Sequence, residues 1–111
     1  MPTPHRPGPA ARRALKQLGA DLREARIRRN LSMERVADRA STSRATLRRL
    51  EQGDPSVGLG VVAAVLQSLG LVGRLAELAS PESDEVGQAL ARDRLPQRPY
   101  QRQPETGDKR G

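Results

Sequence analysis

Residues 31–53, LSMERVADRASTSRATLRRLEQG, constrain the fold more tightly than any other part of the chain. Ser32 is a good N-cap and Glu34 puts a carboxylate in the following turn, where it suits the helix dipole. A short helix is therefore predicted over 33–40, burying Val36 and Ala37. The polar group Ser41-Thr42-Ser43 interrupts it, and Ser43 can cap a second helix over 44–52, which Gly53 and Asp54-Pro55 end. The result is two short helices joined by a tight polar turn.

On a helical wheel with Arg44 at zero, Arg48 falls at about 40°, Gln52 at about 80°, Ala45 at about 100° and Arg49 at about 140°. Leu50 and Leu47 fall at about 240° and 300° on the same wheel, so the basic and apolar sides are separate. Such an arc fits a major groove. Arginine forks match guanine, an amide serves bases or phosphates, and a small residue such as Ala45 permits close approach. Plain solvation also produces basic helical faces. The capped helix at bracing distance is what favours groove recognition.

The charge balance points to the same half of the chain. Through Gly53 there are 13 Lys/Arg against 5 Asp/Glu, and from Asp54 onward 7 against 8. A positive field localised in this way suits a polyanionic partner. Phe and Trp are absent and the one aromatic is Tyr100. Single-strand and RNA modules stack bases on aromatic rings, which leaves double-stranded DNA as the better-matched polyanion.

Cysteine is absent, which excludes a zinc finger and a disulfide framework and agrees with a reducing cytoplasm. The single histidine, His5, sits in MPTPHRPGP, where prolines forbid regular structure, so it is a poor general base or ligand. The carboxylates are scattered without a second group to perturb them. Neither an enzyme nor a bound cofactor or metal is expected.

Elsewhere the apolar spacing is helical. Leu15, Leu18, Leu22 and Ala25 mark an amphipathic helix over 10–30, with Gly19 a weak point in its first turns. VGLGVVAAVLQSLGLVG carries no charge, but it falls short of the ~20 residues a bilayer needs and is diluted by glycines. It reads as a buried core helix ending near Gly70, with no membrane span. Its GLGVVA has the form of a dinucleotide fingerprint, yet no strand precedes it. Leu71, Leu75, Leu78 and Ala79 suggest a fifth helix, stopped at Ser80-Pro81, and Val86, Ala89 and Leu90 a further one over 84–95. The expected organisation is a disordered arm over 1–9, the main domain over 10–80, a short C-terminal helix over 81–95 and a flexible tail over 96–111.

LSMERVADRASTSRATLRRLEQG resembles the helix-turn-helix of the XRE family, the lambda-repressor/Cro-like regulators, in its LS, its VA pair, the S-x-x-T-L core and the L-E-x-G ending. The resemblance extends over roughly 15–78. It implies an all-α fold: a compact five-helix domain with a short extra C-terminal helix and flexible tails. Carried over by position, the base-reading role falls on Arg44, Ala45, Arg48 and Arg49. Phosphate contacts fall on Ser32, Thr42, Ser43 and Gln52, and a structural ion pair on Arg26 and Glu51. Met33 stands where the family often has a glutamine that contacts the DNA backbone, and Ser41 where the turn often has a left-handed glycine.

The resemblance further implies a cytoplasmic repressor that binds its double-stranded operator as a homodimer. The segments 71–78 and 84–95 are the candidates for the dimer surface, and either could equally complete the monomer core. The segment GDPSVGLGVVAAVLQSLGLVGRLAEL, with the acidic SPESDE after it, resembles the HipB-like antitoxins. That branch implies a HipA-like kinase as a second partner. A free-standing repressor, an antitoxin and an interaction module that no longer reads DNA therefore stand as alternatives.

Overall fold

The computed structural model describes residues 6–94 of the chain. The fold is all-α. Six helices follow in order: α1 (Pro9–Arg28), α2 (Met33–Arg39), α3 (Arg44–Glu51), α4 (Leu59–Ser68), α5 (Val72–Ala76) and α6 (Glu85–Arg94). A 3-10 turn at Pro81–Ser83 precedes α6, and no strand occurs among the described residues. His5, Tyr100, the tail over 96–111 and most of the predicted N-terminal arm lie outside that range.

Hydroxyl caps start α2 and α3. The Ser32 side chain accepts the Arg35 N–H and that of Ser43 accepts the Thr46 N–H, each at 3.0 Å. α1 begins instead with Pro9 in its first turn, a position where the missing N–H has no helical partner to lose.

The first four helices end in one pattern. A residue with positive φ follows each cap: Asn30 at 57°, Ser41 at 55°, Gly53 at 81° and Gly70 at 77°. The next N–H then reaches back to the helix: Leu31 to the Arg26 carbonyl at 3.1 Å, Thr42 to Ala37 at 2.9 Å, Asp54 to Arg49 at 2.9 Å and Leu71 to Leu66 at 2.7 Å. These are Schellman closures, which satisfy carbonyls that would otherwise be orphaned. Two of them lack glycine. Ser41 takes the left-handed conformation itself, so the α2–α3 turn keeps its geometry at the cost of backbone strain.

Contacts divide the described residues into two units, with the boundary between Leu75 and Ala76. In the first, α1 packs on α3 and α2 packs on both α3 and α4. Leu47 and Val36 are fully buried at the centre, surrounded by Leu22, Ala25, Leu50, Val62, Val65 and Leu69. Gly19 is buried where α1 crosses the end of α3. A Cβ there would stand 2.6 Å from the carbonyl oxygens of both Leu50 and Glu51, so the crossing requires a bare Cα. That requirement outweighs the ~1 kcal/mol that glycine costs inside a helix.

α5 is shorter than the predicted 71–79. Leu71 and Leu75 pack on the core, but Leu78 is 76% exposed, so no burial sustains another turn. In the second unit, Asp84 caps α6 by accepting the Gly87 N–H at 3.0 Å. Gln88 Nε2 donates to the carbonyls of Pro81 and Glu82, tying the 3-10 turn to the helix.

Candidate nucleic-acid interface

The apolar side of α3 is consumed by the core, with Leu47 at 0% and Leu50 at 4% exposure. Arg44, Ala45, Arg48 and Arg49 are all exposed on the other side of the same helix. Burial of the two leucines sets the rotation of α3, and that rotation turns the arginines outward together. Three ion pairs occur among the described residues: Arg26–Glu51, Arg28–Glu24 and Arg49–Asp54. Neither Arg44 nor Arg48 takes part in them.

Arg49 differs. Its Nε lies 3.8 Å from Asp54 Oδ2, and its side chain remains half exposed. Asp54 is held mainly by Ser56, whose backbone N–H and hydroxyl donate to Oδ1 at 2.8 and 2.7 Å across Pro55. Those hydrogen bonds lower the Asp54 carboxyl below its ordinary value, first the backbone donor and then the hydroxyl, with the Arg49 charge adding a smaller push in the same direction. Asp54 therefore stays ionised and orients Arg49 from the loop after α3.

The four phosphate candidates occupy three places. Ser32 opens α2, Thr42 and Ser43 form the turn and cap before α3, and Gln52 is the C-cap at the far end of α3. Thr42 is half-buried, whereas Ser32, Ser43 and Gln52 are exposed. Ser43 donates its hydroxyl to Thr46 Oγ1 at 3.0 Å while accepting the Thr46 N–H, so its side chain is occupied within the helix. Met33 is half-buried against the core. A thioether there packs inward and offers no hydrogen to a phosphate.

Arg26 and Glu51 meet through two parallel bonds, Nε to Oε2 at 2.8 Å and Nη2 to Oε1 at 3.1 Å, with side chains only 11% and 6% exposed. Arg26 Nη1 also donates to the Leu31 carbonyl at 3.2 Å. One guanidinium thus joins α1, the turn after it and the last residue of α3. The pair is scaffold for the exposed arginines.

The helix-turn-helix domain family matches residues 17–79, more than half of the chain. The chain belongs to that family. No curated protein and no solved structure matches the chain. The helix-turn-helix domain is a DNA-binding domain, and here its two short helices are α2 and α3. None of its described helices is long and apolar enough to cross a membrane.

Three contacts are not read from the sequence: the Lys16 backbone against Gly53, Asp54 beside Arg49, and the Leu31 carbonyl on Arg26. A D-P-S tripeptide after a helix stop is a recognisable signal for Asp54, since aspartate commonly bonds backbone two residues on. Lys16 carries no such local signal. Its position follows only from the packing of α1 on the end of α3.

Proposed function

We propose that this chain is a sequence-specific double-stranded DNA-binding transcriptional regulator, a repressor, and that α3 enters the major groove. Arg44 and Arg48 read base edges by bidentate hydrogen bonding, Ala45 allows close approach, and Arg49 reads from the position that Asp54 sets. Ser32, Thr42, Ser43 and Gln52 contact the phosphates on either side, Ser43 through backbone N–H because its hydroxyl is engaged. The observation that carries the reading is the division of α3: two buried leucines fix it while Arg44 and Arg48 are exposed and form none of the ion pairs among the described residues.

The XRE resemblance supports a homodimer acting in the cytoplasm on a two-fold operator. Leu78, Val86 and Leu90, exposed at 76, 72 and 54%, supply apolar surface for a second copy. Recognition helices would then lie about 34 Å apart, one turn of B-DNA.

The test is selection of duplexes from a random-sequence pool by the wild-type chain, followed by binding of the selected duplex to Arg44→Ala and Arg48→Ala variants. Each lost base contact should cost about 1–3 kcal/mol and relax preference at one position. Variants that retain full preference while folded would reject these side chains as readers.

A further inference from the structure

α1 is longer than the domain needs. The family match begins at residue 17, whereas α1 begins at Pro9, so about two helical turns precede the matched region. Every residue over 9–14 is exposed, and the first fully buried position of the helix is Gly19. These turns bury little apolar surface and so add little to the core. Their sequence, PAARRALK, is rich in strong helix formers behind an N-terminal proline, which lets the helix nucleated by the buried turns after it extend back over this segment.

Its charge is one-sided. Arg6, Arg12, Arg13 and Lys16 are exposed, and the first carboxylate along the chain is Asp21. None of the four takes part in the three ion pairs among the described residues. The first turn of α1 also lacks the acidic residue that would stabilise it.

Packing fixes where this charge lies. A Cβ at Gly53 would stand 2.7 Å from Lys16 Cα, and one at Gly19 would touch the carbonyls of Leu50 and Glu51. The face of α1 through Lys16 and Gly19 therefore abuts the C-terminal end of α3. Arg12 lies four residues and Arg13 three residues before Lys16, along that same face and beyond the end of α3. A groove that takes in α3 is walled by phosphate backbones, and one wall runs past this end of the helix.

We propose that the two-turn extension of α1 is a second DNA-contact surface, in which Arg12, Arg13 and Lys16 grip the phosphate backbone beside the C-terminal end of α3 without reading sequence. The proposal rests on the duplex-binding reading above and adds a contact outside the matched domain. It makes affinity more salt-dependent and leaves base preference unchanged.

The experiment compares the full chain with an Arg12→Gln/Arg13→Gln/Lys16→Gln variant. Glutamine keeps helix propensity and the Cγ at residue 16 that, with the Lys16 backbone, lies against Gly53. Binding is measured across a salt series on the wild-type-selected duplex and on a random-sequence duplex, with helicity checked by circular dichroism. Removing three phosphate contacts should lower the salt slope by about 2.7, so that between 50 and 200 mM salt the wild type loses ~40-fold more affinity than the variant. The ranking of the two duplexes should stay the same.

An unchanged slope with normal helicity overturns the extension as a DNA contact and leaves the role of α3 standing. A wild type that binds both duplexes equally overturns base reading, while the slope difference still decides the extension. A wild type that selects no duplex from the pool and does not bind the random-sequence duplex overturns both. An unchanged slope combined with lost binding to phosphatidylglycerol vesicles assigns the charge to a membrane surface and overturns the proposal.

Discussion

Replacing Arg26 by methionine leaves the Glu51 carboxylate, 6% exposed, without the two guanidinium bonds at 2.8 and 3.1 Å that now satisfy it. The Leu31 carbonyl loses its 3.2 Å donor in the same step. Breaking one side of a nearly buried pair costs about 3–5 kcal/mol, most of it the penalty of an uncompensated charge. Against a total stability of about 5–15 kcal/mol, that loss is a large fraction. For a domain of this size each kcal/mol moves Tm by about 4–8 °C, so the variant should melt ~12–40 °C lower. Thermal and urea unfolding followed by circular dichroism measure this directly. Replacing both partners, in Arg26→Met/Glu51→Leu, removes the stranded charge and should recover most of the loss. A single-variant cost under ~1 kcal/mol, the value of a solvated surface pair, would refute the reasoning. So would a double variant no more stable than the single one.

Ser41→Gly relieves the left-handed strain at φ 55° and should stabilise the fold by about 1 kcal/mol, seen as a higher urea midpoint at constant slope. Gly19→Ala gains ~1 kcal/mol of helix propensity but drives a methyl to 2.6 Å from two backbone carbonyls. The clash should win, with a net loss of at least ~1 kcal/mol in the same unfolding assay. Ser43→Ala removes the α3 cap and should cost about 0.5–2 kcal/mol. Asp54, whose carboxyl titrates below its ordinary value, should contribute stability that is full above the ordinary carboxylate pKa of ~3.9 and lost as pH falls through the lower folded value. Asp54→Asn should flatten that acid dependence in pH-resolved unfolding.

Elements with strong local chemistry are legible in the amino-acid sequence itself. Ser32 and Ser43 declare their helices because a hydroxyl before an amphipathic run has one good use, and Leu47 and Leu50 set the rotation of α3 because three- and four-residue spacing leaves one inward face. Features that depend on long-range contact are not legible in this way. Gly19 reads as a weak point in α1 until its Cα is seen against the end of α3. Lys16 is one more surface cation until Gly53 is seen beneath it. Leu78 belongs to a helical pattern by spacing alone, but without burial the pattern stops at Ala76. Ser41 stands at a left-handed turn position already in the sequence, whereas Asn30 shows its positive φ only once Leu31 is seen closing on the Arg26 carbonyl.

Methylation interference on the selected duplex tests the central assignment most directly, because guanine N7 faces the major groove and adenine N3 the minor groove. Arginines of α3 seated in the major groove predict that N7 methylation of specific guanines blocks binding, and that the block at one of those guanines disappears in Arg44→Ala. Binding that is insensitive to N7 methylation, or blocked only by methylation at adenine N3, would contradict the placement of α3 and with it the function built on its arginines.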